Sequence, residues 1–419
     1  MKALVLAGGF PQIELIKQLK TRGIKVVLAD YNDDPVAKKY ADKYYQVSTL
    51  DVDGITSVAC GEQVDFLITV CTDQALLTVA KVSELLGLPC YIDYATALNV
   101  TNKQYMKEVF VKDGIQTAKH VILTELEEAT ISAMSYPLIV KPVDCNSSKG
   151  VRRVENLKEL KEAFTDAVNF SRTNTAIIEE YIEGSEITVD VYVEKGKANV
   201  LSISGSDKIA EKDKFVIFRT IQPAAINEGV RMQVELISQQ IADAFGIVDS
   251  PMLIQMLTDG RKAYVIEFSA RTGGGVKYLL IKHVSGFDVI KAVIDLTLGD
   301  KPHVVKNASQ TKYLVNDFIY CKPGKYDHFE GFEELKAEGY LQDYYVFKWQ
   351  GAEFDCVKSS GDRVGGYTIT ADTVDELIAK HNEVRKRIRV IDACGNDMVR
   401  HDLLTALKTA GEFIYSEPE

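Results

Sequence analysis

Across its first hundred residues the chain alternates short, nearly unbroken apolar runs with amphipathic segments, and this rhythm restricts the fold more than any other feature. Residues 3–7, 25–30, 44–47, 66–69 and 89–92 read as strands, with helices over 12–21 and 75–86. Such runs lack polar alternation, the mark of a parallel sheet covered by helices. After the first strand stands Ala7-Gly8-Gly9-Phe10-Pro11, without the GxGxxG spacing of a dinucleotide site. A glycine turn into a helix accounts for it; a substrate contact at Gly8 and Gly9 is the alternative.

Further along, three segments place chemistry at the ends of expected strands. Thr101 caps a helix that carries Lys103. The run 136–142 ends in Lys141-Pro142, and Pro142, lacking an amide hydrogen, should stop the ladder. The loop Asn146-Ser147-Ser148-Lys149-Gly150 offers backbone N–H groups and hydroxyls to phosphate oxygens, or is simply a surface loop. A strand at 175–182 holds Glu179, Glu180, Tyr181 and Ile182. Glu186 opens the next strand, so two carboxylates bracket a short connection. They suit the amino and hydroxyl groups of a nucleoside, or form an acidic solvated face. A hairpin over 251–269 carries Gln255, then Glu267 and Ser269 on one face, then Arg271 and three glycines. It reads as a metal and phosphate site, or as a hairpin with an edge salt bridge.

Length and charge narrow the classes. A chain of 419 residues supports two to four domains. A net charge of −11, with no basic stripe interleaved with aromatics, argues against nucleic acid as a partner. No apolar run reaches membrane-spanning length and no leader pattern is present, so no membrane partner is expected. Seven scattered cysteines without a CxxC pair argue for reduced thiols in the cytoplasm and against a zinc cluster.

Taken together these positions, with Asp362-Arg363-Val364-Gly365-Gly366-Tyr367 near the C-terminus, resemble the ATP-grasp superfamily. The resemblance is to the branch with L-amino-acid ligases, biotin carboxylase and carbamoyl-phosphate synthase large chains. It implies an α/β chain with an α+β central region. The expected units are an N-terminal parallel-sheet α/β domain at 1–100 and an ATP-grasp domain at 101–310 with a phosphate-loop lid about 115–183. A C-terminal mixed α/β domain at 311–408 and a tail at 409–419 follow.

The resemblance also implies residue roles. Lys103 and Lys141 would neutralise ATP phosphates under a loop of Ser147, Ser148, Lys149 and Gly150. Glu179 would meet the adenine amino group, with backbone contacts from Glu180, Tyr181 and Ile182, and Glu186 would bind the ribose. Glu267 would bridge Mg²⁺, for which Mn²⁺ can substitute, with Gln255 and Ser269 as further ligands. Arg271 would contact phosphoryl or acyl-phosphate oxygens, Lys208 would be a further phosphate ligand, and Arg219 would hold a substrate carboxylate. Gln255 and Glu267 converge if the loop Asp259-Gly260-Arg261 carries a glycine bulge that pairs 255 with 265. The implied function is a carboxylate–amine ligase joining small-molecule substrates through an acyl phosphate, as a homodimer. The alternatives are a bicarbonate-using, carboxyphosphate-forming enzyme, biotin-carboxylase-like or a purine-pathway carboxylase, and a catalytically weak ATP-binding regulatory protein.

Overall fold

The computed structural model describes residues 1–145, 150–209, 215–305 and 311–407. Four parallel strands open the chain, side by side in the order Lys43–Gln46, Lys25–Asp30, Lys2–Leu6 and Phe66–Ile68. The expected strand at 89–92 is absent. Pro89 interrupts the run, Ile92 packs into the core of the central sheet, and the Tyr91 hydroxyl donates to the Ala270 carbonyl at 3.1 Å. Only Ile92 of the run is buried; Pro89 is exposed, and Cys90 and Tyr91 are half-buried between the cores of the two domains.

One face of the parallel sheet is closed from far along the chain. Val289, Ile290, Val293 and Ile294, on the helix Val289–Thr297, share a core with Ala3, Val5, Leu15 and Ile16. Their i, i+1, i+4, i+5 spacing is one helical face.

The centre is an eight-stranded sheet. Its strands run in the spatial order Ala263–Ser269, Ser250–Thr258, Ser185–Glu194, Lys197–Lys208, Ile217–Gln222, Tyr313–Tyr320, Arg363–Ala371 and Asp343–Val346. Because Ile217–Gln222 pairs with Tyr313–Tyr320, the sheet runs straight across the expected boundary near 310. A separate four-stranded antiparallel sheet lies between residues 120 and 180, in the order His120–Leu123, Ala176–Glu180, Leu138–Pro142, Arg152–Val154. The helix Leu157–Phe170 covers it with Leu160, Ala163, Phe164 and Ala167.

Two features lock the C-terminal region to the central sheet. Gly365 and Gly366 allow close strand contact, since a Cβ at Gly365 would lie 2.2 Å from the Tyr345 carbonyl oxygen and one at Gly366 2.6 Å from that of Asp317. Next to them, the fully buried Asp317 accepts two hydrogen bonds from Arg219, at 2.6 and 2.8 Å, and one from the Tyr367 hydroxyl at 3.0 Å. Burial opposes the Asp317 charge, but the guanidinium outweighs it and holds the carboxyl well below the usual range.

Removing one partner of such a pair strands the other charge. Asp317→Ala is therefore expected to cost about 3–5 kcal/mol, read as a lower urea midpoint at an unchanged slope.

Candidate active site

A cleft of about 1450 Å³ lies between the small sheet and the central one, closed at one end by the N-terminal domain. The two sheets are joined by residues 181–184, where the strand Ala176–Glu180 ends before Ser185–Glu194 begins. Gly184 is required there, because a Cβ would fall 2.1 Å from the Thr258 carbonyl oxygen. Lys103, Lys141, Glu179, Glu180, Tyr181, Ile182, Glu186, Lys208, Gln255, Glu267 and Arg271 all line this one cleft. Residues from seven elements, up to 168 positions apart, thus meet on two facing walls.

On the small-sheet side Glu179 stands between two lysines. Its carboxylate oxygens lie 2.6 Å from Lys107 Nζ and 2.5 Å from Lys141 Nζ, with all three side chains buried. Burial alone would raise the Glu179 pKa, yet the two ammonium groups outweigh it and hold it well below the usual range. Burial in turn pushes the Lys107 ammonium down against the pull of Glu179. Glu180 faces away from this pair, accepting from the Ser135 amide at 3.1 Å, and Arg153 stacks on the Tyr181 ring at 4.2 Å.

On the central-sheet side Gln255 pairs directly with Glu267, although not by the expected means. The loop spans four residues, 259–262, with Asp259 Oδ1 accepting from the Arg261 and Lys262 amides at 2.8 and 2.7 Å. The extra residue is Ile266, because Met256 pairs with Val265 while Gln255 pairs with Glu267. The bulge therefore lies inside the ladder, at the site itself, and puts both side chains on the cleft face. Glu267 Oε2 is 3.1 Å from Lys103 Nζ, and Lys103 also donates to the Cys145 carbonyl. Glu186 is 2.5 Å from Lys208 Nζ and accepts from Gln255 Nε2 at 3.4 Å. The helix bearing Lys103 is capped by Asn102, which accepts from the Tyr105 amide, rather than by Thr101.

One expectation changes, and two of the expected site residues are held by a third, Asp73. Arg219 does not reach the cleft: it is 1% exposed, with Nε and Nη2 on Asp317 and Nη2 also on the Thr405 carbonyl at 2.7 Å. A guanidinium so engaged is a structural cation. Ser269 donates to Asp73 Oδ1 at 2.6 Å, so its hydroxyl orients a carboxylate. Arg271 is held by the same Asp73 through both Nε and Nη2. Of the expected phosphate loop, Asn146, Ser147, Ser148 and Lys149 lie outside the described residues. Gly150, with φ +71°, packs against Pro142.

Asp73 and Lys107 escaped the sequence reading, though each left a signal. Asp73 opens a helix just past the strand Phe66–Ile68, and the carboxyl ends of parallel strands are where α/β sheets place ligands. Lys107 follows Lys103 by one helical turn and so shares its face. Burial disfavours the Asp73 charge, but Arg271 and Ser269 outweigh burial and keep its pKa low. The described residues hold no cluster of three or more His, Cys, Asp or Glu able to bind a metal. Glu267 and the Gln255 amide oxygen are one carboxylate and one neutral oxygen. That donor set fits Mg²⁺, which binds through one or two carboxylates together with substrate phosphates and water.

Between the two sheets, then, lies a cleft lined by Lys103, Lys141, Lys208 and Arg271 with carboxylates beside them. The chain carries an ATP-grasp domain over residues 134–278 and an L-amino acid ligase C-terminal domain over residues 317–392. It is 24% identical over 311 residues to the carbamoyl phosphate synthase large chain of Clostridium acetobutylicum, covering 71% of this chain and 28% of that one. The L-amino acid ligase of Bacillus licheniformis superimposes with a TM-score of 0.77 at 22% identity, covering 94% of this chain and 99% of that one. The biotin carboxylase domain dimer of Hydrogenobacter thermophilus 2-oxoglutarate carboxylase, solved with MgADP, ADP and bicarbonate, gives 0.78 at 17%, covering 96% and 92%. No helix among the described residues is long and apolar enough to cross a membrane.

Asp73→Asn removes charge from the group that aims Arg271 without touching Lys141 or Glu267. It is expected to lower kcat about 100-fold, the scale of a 1 Å misplacement, with the KM for ATP unchanged in steady-state assays.

Proposed function

We propose that the protein is an ATP-dependent carboxylate–amine ligase that activates a small carboxylate, an amino acid in the leading case, as an acyl phosphate. The observation that carries this reading is the meeting of Lys103, Lys141, Glu267, Gln255 and Arg271 in one cleft spanned by the Glu179–Ile182 hinge. The substrate carboxylate attacks the γ-phosphoryl group and ADP departs. The amine then displaces phosphate from the acyl phosphate. The amine needs no strong base, since the acyl group is already activated.

Such a reaction asks for placement and for neutralisation of charge on phosphoryl oxygens. Lys103, Lys141 and Lys208 serve the phosphates, and Arg271, aimed by Asp73 and Ser269, serves the transferring group. Glu180 through Ile182 offer backbone groups to adenine, and Glu186 is the ribose ligand. Glu179, engaged with two lysines, sets the position of Lys141 and reaches adenine only from that position. Glu267 and Gln255 hold Mg²⁺, which supplies further neutralisation. The small sheet, closing over the cleft, keeps water from the acyl phosphate.

The bicarbonate-using alternative draws on the same residues and on the likeness to the biotin carboxylase domain. The dimer in that structure supports a homodimeric assembly here, which light scattering on the purified chain checks.

The test is release of ADP and phosphate from ATP with a panel of amino acids, other carboxylates and bicarbonate, each with and without amines. We expect turnover to require one carboxylate and one amine, to vanish with EDTA and return with Mg²⁺, and to fall at least 1000-fold in Glu267→Ala. Dependence on bicarbonate without an amine moves the protein to the carboxyphosphate group. AMP and pyrophosphate as products overturn the acyl-phosphate route.

A further inference from the structure

Lys107 has no direct part in the reaction proposed above, yet it is a charged side chain only 2% exposed. Burial works against its charge, and a neutral side chain of similar volume would avoid that cost. Its Nζ lies 2.6 Å from Glu179 Oε1 and donates to the Thr117 hydroxyl at 2.5 Å. Thr117 in turn donates to the Val265 carbonyl at 2.8 Å, and the Val265 amide donates to the Gln116 carbonyl at 2.8 Å. Thr117 is thereby bridged to the strand that carries Glu267. An ammonium group held on both sides in this way stays behind the wall of the cleft and does not reach a ligand itself.

The other oxygen of Glu179 lies 2.5 Å from Lys141 Nζ, and Lys141 lines the cleft. Two ammonium groups thus share one carboxylate, and among the described residues neither pairs with a second. Two cations and one anion leave one positive charge, and Lys141 is the member that presents it to the cleft. The neighbouring cations are matched differently: Lys103 has Glu267, Lys208 has Glu186 and Arg271 has Asp73, one carboxylate each. Without Lys107, Glu179 would cancel Lys141 in the same way. A unit charge a few ångströms from a phosphate, in a partly buried space, is a large term in binding.

We propose that Lys107 is a positioning residue for phosphate binding: by engaging half of Glu179 it leaves Lys141 with an uncompensated positive charge, and so sets the preference of the cleft for a nucleotide over the corresponding nucleoside. This rests on the reading of the cleft as an ATP site, in which Lys141 meets phosphate oxygens. Adenine and ribose draw on the backbone of Glu180 through Ile182 and on Glu186, so their binding does not depend on this charge.

The test compares ADP with adenosine on the full chain in Mg²⁺, by calorimetry for ADP and by displacement of ADP for adenosine. The variants are Lys107→Met, Lys107→Gln, which keeps polar contacts without the charge, and Lys107→Met combined with Glu179→Gln, which removes one charge of each sign. We expect the natural sequence to bind ADP more tightly than adenosine. Both single variants should lose about tenfold in ADP affinity with adenosine affinity unchanged. The double variant should recover ADP affinity, because Lys141 is again uncompensated. Equal ADP affinity in the natural sequence and the single variants overturns the proposal and leaves the ATP reading in place. Equal weakening of ADP and adenosine in the single variants, or no recovery in the double variant, assigns Lys107 a structural role and overturns the proposal as well. Should melting curves show both single variants unfolded, the double variant decides, a lost preference for ADP overturning the proposal and a retained one upholding it. A natural sequence that binds ADP no better than adenosine overturns the ATP reading itself, and the proposal with it.

Discussion

The constraint on which the structure depends is the repulsion among cations gathered in one partly buried space. Lys103, Lys107, Lys141, Lys208, Arg271 and Lys277 all approach the cleft, and each is matched by a carboxylate from a different element: Glu267, Glu179, Glu179 again, Glu186, Asp73 and Asp190. A buried ammonium without such a partner would lose its proton or unfold its surroundings. Lys141–Glu179 lies within the small sheet and Lys208–Glu186 within the central one, whereas Lys103–Glu267 and Arg271–Asp73 tie the central sheet to elements outside it. Asp73 comes from the first turn of a helix in the N-terminal domain and Arg271 from just past the central hairpin, so the ion pair is also a domain contact.

Much of this was legible in the sequence where local chemistry and local geometry coincide. Lys141 before Pro142, the paired Glu179 and Glu186, and Glu267 two residues before Ser269 each sit at the end of a run whose period fixes a face. The rest depends on contacts that no local pattern encodes. Arg219 stands on a strand next to a polar loop, a setting that suits a substrate ligand. Its partner Asp317 is 98 residues away and fully buried, and only the assembled sheet reveals the pair. Pro89-Cys90-Tyr91-Ile92 has strand composition because it crosses between two cores, and burial alone cannot distinguish that from sheet pairing.

The hairpin shows a subtler limit. Strict alternation forbids Gln255 and Glu267 from facing one cleft across a two-residue turn, so an irregularity had to exist. Its position followed from neither residue. A bulge at the turn would be cheapest for the backbone, yet the extra residue is Ile266, beside Glu267 itself. A bulge there locally increases twist and tilts the carboxylate relative to the ladder, which is useful at a site and wasteful at a loop. The turn then satisfies itself through Asp259, whose side chain accepts from two amides ahead of it.

Carboxylate pairing also bears on how a cleft of this kind admits polyanions. Glu186 holds Lys208, and Glu267 holds Lys103, along the wall of the cleft. On the proposed reading an entering phosphate group would replace one anion by another at each lysine, so the cations would not be desolvated afresh. On that reading the freed carboxylates would face groups that want them: a ribose hydroxyl at Glu186, and a divalent cation at Glu267. Glu179 differs in having each of its two oxygens on a lysine, Lys107 and Lys141, which fixes the position of Lys141.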